Sequence, residues 1–163
     1  MMMQFLWQGG EAEVLAVLET MPAGGFVNTA PPTLVMYCRL GRLDDARSYL
    51  DANREHVHAV LADDTWYSPM AWSMVAEAAS HLAERELAGA AYERLVGLAG
   101  QSACAGTGTA LGPVDMFLAM AAHTTGQDDI ARRHADRGVE LCEAWGVPLA
   151  RDWCVRERER LGV

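Results

Sequence analysis

Residues 111–145, LGPVDMFLAMAAHTTGQDDIARRHADRGVELCEAW, set two helical patterns end to end with only Thr125-Gly126-Gln127-Asp128 between them. So short a connection makes the two helices antiparallel neighbours. The second is amphipathic: Ala131, Ala135, Gly138, Val139 and Cys142 share one side, and Arg132, Arg133, Asp136, Arg137, Glu140 and Glu143 the other. The first, opened by Pro113, is apolar nearly all round. A helix of that kind must be covered on more than one side, so the pair requires further helices stacked against it.

The rest of the chain supplies them at helical spacing. Val14, Leu15 and Leu18 mark a helix over 11–21, preceded by a short apolar stretch, Met1 to Trp7, that reads as the clipped first member of a pair. A Gly- and Pro-rich linker, 22–32, leads to a short helix over 33–40 and then a long one over 43–62. Ser68-Pro69 is a helix start, because a serine hydroxyl caps free amides and proline suits the first turn. The helix it opens, 69–83, carries Ala71, Val75, Ala79 and Leu82 on one side and Met70, Met74 and Ala78 beside them. A helix over 85–99 follows, then residues 97–112 as the longest irregular segment, and after the central pair a charged helix over 149–161.

Aligning the inter-helix turns on Gly9, Gly41, Glu86 and Gly126 gives spacings of 32, 45 and 40 residues, with Val14, Ala46, Ala91 and Ala131 each five residues on. Two-helix units with periods of about 34–47 residues are the mark of tetratricopeptide-like and related α-solenoids. A small residue after the turn lets paired helices approach closely. The expected fold is all-α: a tetratricopeptide-like (TPR-like) α-solenoid of antiparallel helix pairs, about three to four repeats with 149–161 as a C-terminal cap, in one domain over residues 1–163.

Charge narrows the chemistry. Thirteen arginines and no lysine oppose 22 carboxylates, a net charge of −9. Such a surface repels phosphate backbones, so no direct nucleic-acid binding is expected, and the absence of lysine removes a Walker A lysine, a Schiff base and a lysine general base. Cys38, Cys104, Cys142 and Cys154 form no C-x-x-C pair and read as small buried groups in a reducing, cytoplasmic setting. The apolar start lacks a basic flank and is too short to span or export, so no membrane association is expected.

Leu111-Gly112-Pro113-Val114-Asp115, then Thr125-Gly126-Gln127-Asp128-Asp129-Ile130-Ala131, then Trp145-Gly146-Val147-Pro148 resemble the C-terminal tetratricopeptide-like region of large bacterial regulators, the LuxR-type and adenylate-cyclase-type signalling ATPases. Gly41-Arg42-Leu43-Asp44-Asp45-Ala46-Arg47 resembles their repeat turn, and the resemblance spans residues 33–161. Where those regulators continue with aromatic residues, this chain has Met116-Phe117 and Leu149, with its tryptophan at Trp153. The resemblance implies a helical fold and an interaction role, and lends neither ATP hydrolysis nor DNA binding. A chain split from a longer regulator would account for the clipped first pair.

No residue pattern marks a catalytic centre, a cofactor or a metal site. Gly106-Thr107-Gly108-Thr109 has no preceding strand and no following lysine, so it reads as a loop. His56 and His58 point in different directions, and Asp115 suits the dipole of its helix. The expected binding residues are Trp66, Tyr67, Trp72, Tyr37, Met116, Met120 and His123, the last five converging on a concave face. Aromatics and methionine favour adaptable recognition. The expected function is therefore a non-enzymatic interaction module for a protein or peptide partner in bacterial regulation. The alternative is a sensor or enzyme holding an apolar small molecule in an aromatic and methionine-lined pocket.

Overall fold

The computed structural model describes residues 9–24, 27–106 and 109–163, and the apolar stretch Met1–Trp7 lies outside them. The described chain is mostly helical. In order it forms α1 (Glu11–Leu18), α2 (Ala30–Arg39), α3 (Leu43–Ala62), α4 (Ser68–Leu82), α5 (Arg85–Leu95) and a single 3-10 turn, Val96–Leu98. Then come β1 (Ser102–Ala105), β2 (Thr109–Pro113), α6 (Val114–Thr124), α7 (Asp128–Trp145) and α8 (Pro148–Leu161). Among the described residues no helix is long and apolar enough to cross a membrane.

The helices pair as their turns require. α2 packs on α3, α4 on α5 and α6 on α7, while α2, α4 and α6 also pack on one another in sequence. α6 is the most deeply buried: residues 114–122 are all covered, with Phe117, Leu118, Met116 and Met120 wholly so. Each such side chain contributes about 1.5–3 kcal/mol by leaving water. α6 and α7 approach closely at Gly138, where an added Cβ would stand 3.4 Å from the Met116 backbone nitrogen. α8 closes the end by laying Trp153 on Phe117, ring centroids 5.4 Å apart.

The turns between paired helices lie differently from their expected alignment. The left-handed residues after α2, α4 and α6 are Gly41, Ala83 and Gly126, so the second turn lies at Ala83 and not at Glu86, and the spacings are 42 and 43 residues. In each turn the next residue donates its N–H five residues back: Arg42 to Tyr37, Glu84 to Ala79, Gln127 to Ala122. Ala46, Ala88 and Ala131 then occupy the matching covered position five residues on. Ala91 was the wrong partner because alanine, unlike glycine, does not advertise a positive φ.

Four local expectations change. Residues 97–112 are not irregular throughout, since β1 and β2 pair antiparallel with Cys104 opposite Ala110 and pack on α4. Ala103, Ala105 and Leu111 turn inward from this hairpin, a pattern hidden because small residues carry little hydrophobic contrast. Pro113 ends β2 in extended conformation, φ −70° and ψ 136°, and α6 starts one residue later. α3 is broken at Asn53, φ −124° and ψ 18°, whose side-chain amide donates to the Tyr49 carbonyl at 3.0 Å and so competes with the helix ladder. Ser68 does not cap helix amides. Its Oγ accepts from the Thr65 N–H at 2.8 Å and donates to the Asp63 carbonyl at 3.2 Å, which holds the turn before α4.

Candidate functional site

Side chains from α1, α2 and α4 leave a hollow of about 350 Å³ between them. Val14 and Leu18 come from α1, Met36 from α2, and Tyr67, Met70 and Met74 from the start of α4. Its exposed lip is Val17, Met21 and Val27, respectively 54%, 45% and 44% exposed. α1 and α2 pack closely enough that Tyr37 donates its hydroxyl to Glu19 Oε1 at 2.7 Å. The Pro31-Pro32 start of α2 removes N–H groups that would otherwise need partners at this end.

The lining is chemically uniform. Its polar members are Thr29 and Thr109, whose hydroxyls donate to the Pro22 and Ala105 carbonyls, and Tyr67, whose hydroxyl points to Met74 sulfur at 3.9 Å. Burial pushes the Tyr67 phenol up to about 12, so it stays neutral and offers a weak dipole. Beside it Trp66 is 71% exposed and meets Tyr67 edge to face, centroids 6.0 Å apart. Tyr67 and Val27 line both this hollow and a second one of about 330 Å³, where Trp66, Asp63 and Thr65 join them. Flexible methionines with an apolar lip can accept an apolar side chain or a small apolar molecule, and they supply no nucleophile or base.

Of the expected site residues, the structure brings Trp66 and Tyr67 together and disperses the rest. Met116 and Met120 have no exposed surface, so they line no open face. Trp72 is buried, donating its indole N–H to the Val60 carbonyl at 2.8 Å, with Arg94 over its ring. Tyr37 is covered between Glu19, the Arg42 guanidinium and Tyr49; burial first, then Glu19, pushes its phenol up to about 12. His123 closes the end of α6 with Asp128 at 2.9 Å. The expected convergence fails because Met116 and Met120 are enclosed in the core, while Trp72, Tyr37 and His123 are engaged by Val60, by Glu19, Arg42 and Tyr49, and by Asp128 respectively. Sequence reading missed Val17, Met21, Val27, Met36, Met70 and Met74 as lining. Met70 and Met74 carried a signal, being apolar positions on a helix already apolar on its other side.

Three titratable groupings lie elsewhere. Arg39 on α2 makes a bidentate bond with Glu77 on α4, 2.6 and 2.8 Å, and both are buried. Burial opposes the arginine charge, but the Glu77 carboxylate outweighs it and holds the guanidinium charged. Asp115 accepts from the Gly100 N–H at 2.6 Å and pairs with His134 Nδ1 at 3.0 Å, while His134 Nε2 faces the Tyr92 hydroxyl at 3.4 Å. Burial would raise the Asp115 carboxyl, yet the His134 and Gly100 hydrogen bonds prevail and hold it below the ordinary carboxylate value. Both of its oxygens are thus engaged in tying the turn after α5 to α6 and α7. Cys142 and Cys154 stand 3.8 Å apart, sulfur to sulfur, between α7 and α8. Among the described residues no group of three His, Cys, Asp or Glu is placed to hold a metal. The Gly106–Thr109 segment, expected to have no strand before it, follows β1 directly and Thr109 opens β2, while Thr107 and Gly108 lie outside the described residues.

Comparison with protein-family models, with curated proteins and with solved structures returns no match.

Proposed function

We propose that this chain is a TPR-like α-solenoid that acts without catalysis, docking an apolar segment of a protein partner in the hollow between α1, α2 and α4. The observation that carries this is the lip of Val17, Met21 and Val27, which leaves apolar side chains in water directly above a methionine-lined recess. Exposed apolar surface joined to a recess is what interaction sites present. The solenoid reading is supported by the alternation of packed inner and outer helices and by turns recurring at 42 and 43 residues. The resemblance of residues 33–161 to bacterial regulators supports a regulatory setting.

A second reading has its own observation. The recess is almost wholly apolar and of a size that suits a small apolar molecule. Methyl NMR of the methionines separates the two. A synthetic amphipathic helical peptide should shift the Met36, Met70 and Met74 resonances while leaving buried Met116 and Met120 in place. Shifts produced by decanoate alone, with every peptide silent, would select the small-molecule reading. Silence of both probes would sink both.

A further inference from the structure

We infer that the segment received by this hollow is basic as well as apolar: an amphipathic helix whose lysines or arginines flank its anchoring side chains. The inference rests on the docking reading above and specifies the partner. Residues 9–24, 27–38 and 63–76 hold every residue lining the hollow except Thr109, and contain Glu11, Glu13, Glu19, Asp63 and Asp64 but no arginine or lysine. Glu11 turns away to the cleft beside Arg39. Glu13, Asp63 and Asp64 make no ion pair among the described residues, and Asp63 lines the adjoining hollow next to Tyr67.

The nearby bases do not cancel this rim. Arg42 shares its charge between Asp45 at 2.7 Å and Glu19 at 3.9 Å. His56 packs on Gly24, three residues from Val27, and Arg39 is neutralised by Glu77. An apolar recess with exposed, unpaired carboxylates next to its lining residues, Glu13 before Val14 and Asp63 and Asp64 before Tyr67, favours a segment of opposite sign and speeds its encounter. The exposed Trp66 indole adds a face for a lysine or arginine side chain. A symmetric pairing with a second copy of this chain is disfavoured, because its identical carboxylates would face these.

Two synthetic helical peptides with the same leucine register, one completed with lysine and one with glutamate, provide the test by fluorescence anisotropy. The lysine peptide should bind at least about tenfold more tightly than the glutamate peptide and weaken with added salt. Reversing the rim, Glu13→Lys with Asp63→Lys and Asp64→Lys, should cost a similar factor, as should Val17→Asp with Met21→Asp at the lip. All five positions are exposed, and unchanged circular dichroism confirms that the variants fold. Equal binding of both peptides, lost in the lip variant, would overturn the basic partner and leave the docking reading intact. Lysine-peptide binding that survives the lip variant would overturn the inference as general surface attraction. A dimer in sedimentation that Met21→Asp dissociates would overturn it in favour of a second copy. Failure of both peptides while decanoate binds would overturn it together with the docking reading.

Discussion

Ala83 stands at φ 57°, a conformation that glycine adopts at the equivalent Gly41 and Gly126. A side chain there costs about 1–2 kcal/mol, partly offset because glycine has more freedom to lose on folding. Ala83→Gly should therefore raise stability by roughly 0.5–1 kcal/mol, read as a higher urea midpoint; a lower one would contradict the turn geometry. Asp115 is a second residue with a measurable signature. Its folded carboxyl is held below its ordinary value of 3.8, so its contribution is complete above that range and disappears as pH falls through the folded value. Asp115→Asn should cost roughly 1–3 kcal/mol near neutrality and flatten the acid limb of a stability-against-pH curve. An unchanged acid limb would show that another carboxylate sets it.

Between elements, the Arg39–Glu77 pair is the polar link joining two inner helices, α2 and α4. Removing either partner strands a buried charge, so Glu77→Leu and Arg39→Met should each cost about 3–5 kcal/mol. The double substitution should recover most of that loss, because two apolar side chains of similar length leave nothing unpaired. Additive losses in denaturant titration would mean the pair does not act as a unit. The elements themselves were largely legible in the sequence, since amphipathic spacing marks α3, α5 and α7 and nearly unbroken apolar runs mark α4 and α6. The hairpin was not, because Ala103 and Ala105 alternate with Ser102 and Cys104 and differ from them little in hydropathy. The position of the turn after α4 was obscured for a related reason: a positive φ on Ala83 is imposed by the chain's need to turn, and composition does not reveal it.

For the whole molecule, layering predicts an order of opening. α4 and α6 are covered by neighbours on several sides, whereas α1 and α8 each pack mainly on one helix. Amide hydrogen exchange should be slowest in α4 and α6 and faster in α1 and α8; uniform protection would argue against nearest-neighbour stacking. The hollow is a property of this same scale. Tyr67 and Trp66 were legible as a local cluster, but Val17, Met36 and Met74 are brought to one recess only when α1, α2 and α4 assemble, and no spacing within one helix encodes that meeting. Trp66 carries a further consequence. It stands 71% exposed beside the recess, while Trp72 and Trp153 are covered and Trp145, 40% exposed at the end of α7, can be removed as Trp145→Phe. The Trp66 indole emission should thus be red-shifted and readily quenched by iodide in the free protein. Any occupant of the neighbouring recess should move that emission to the blue, which gives the molecule its own optical reporter.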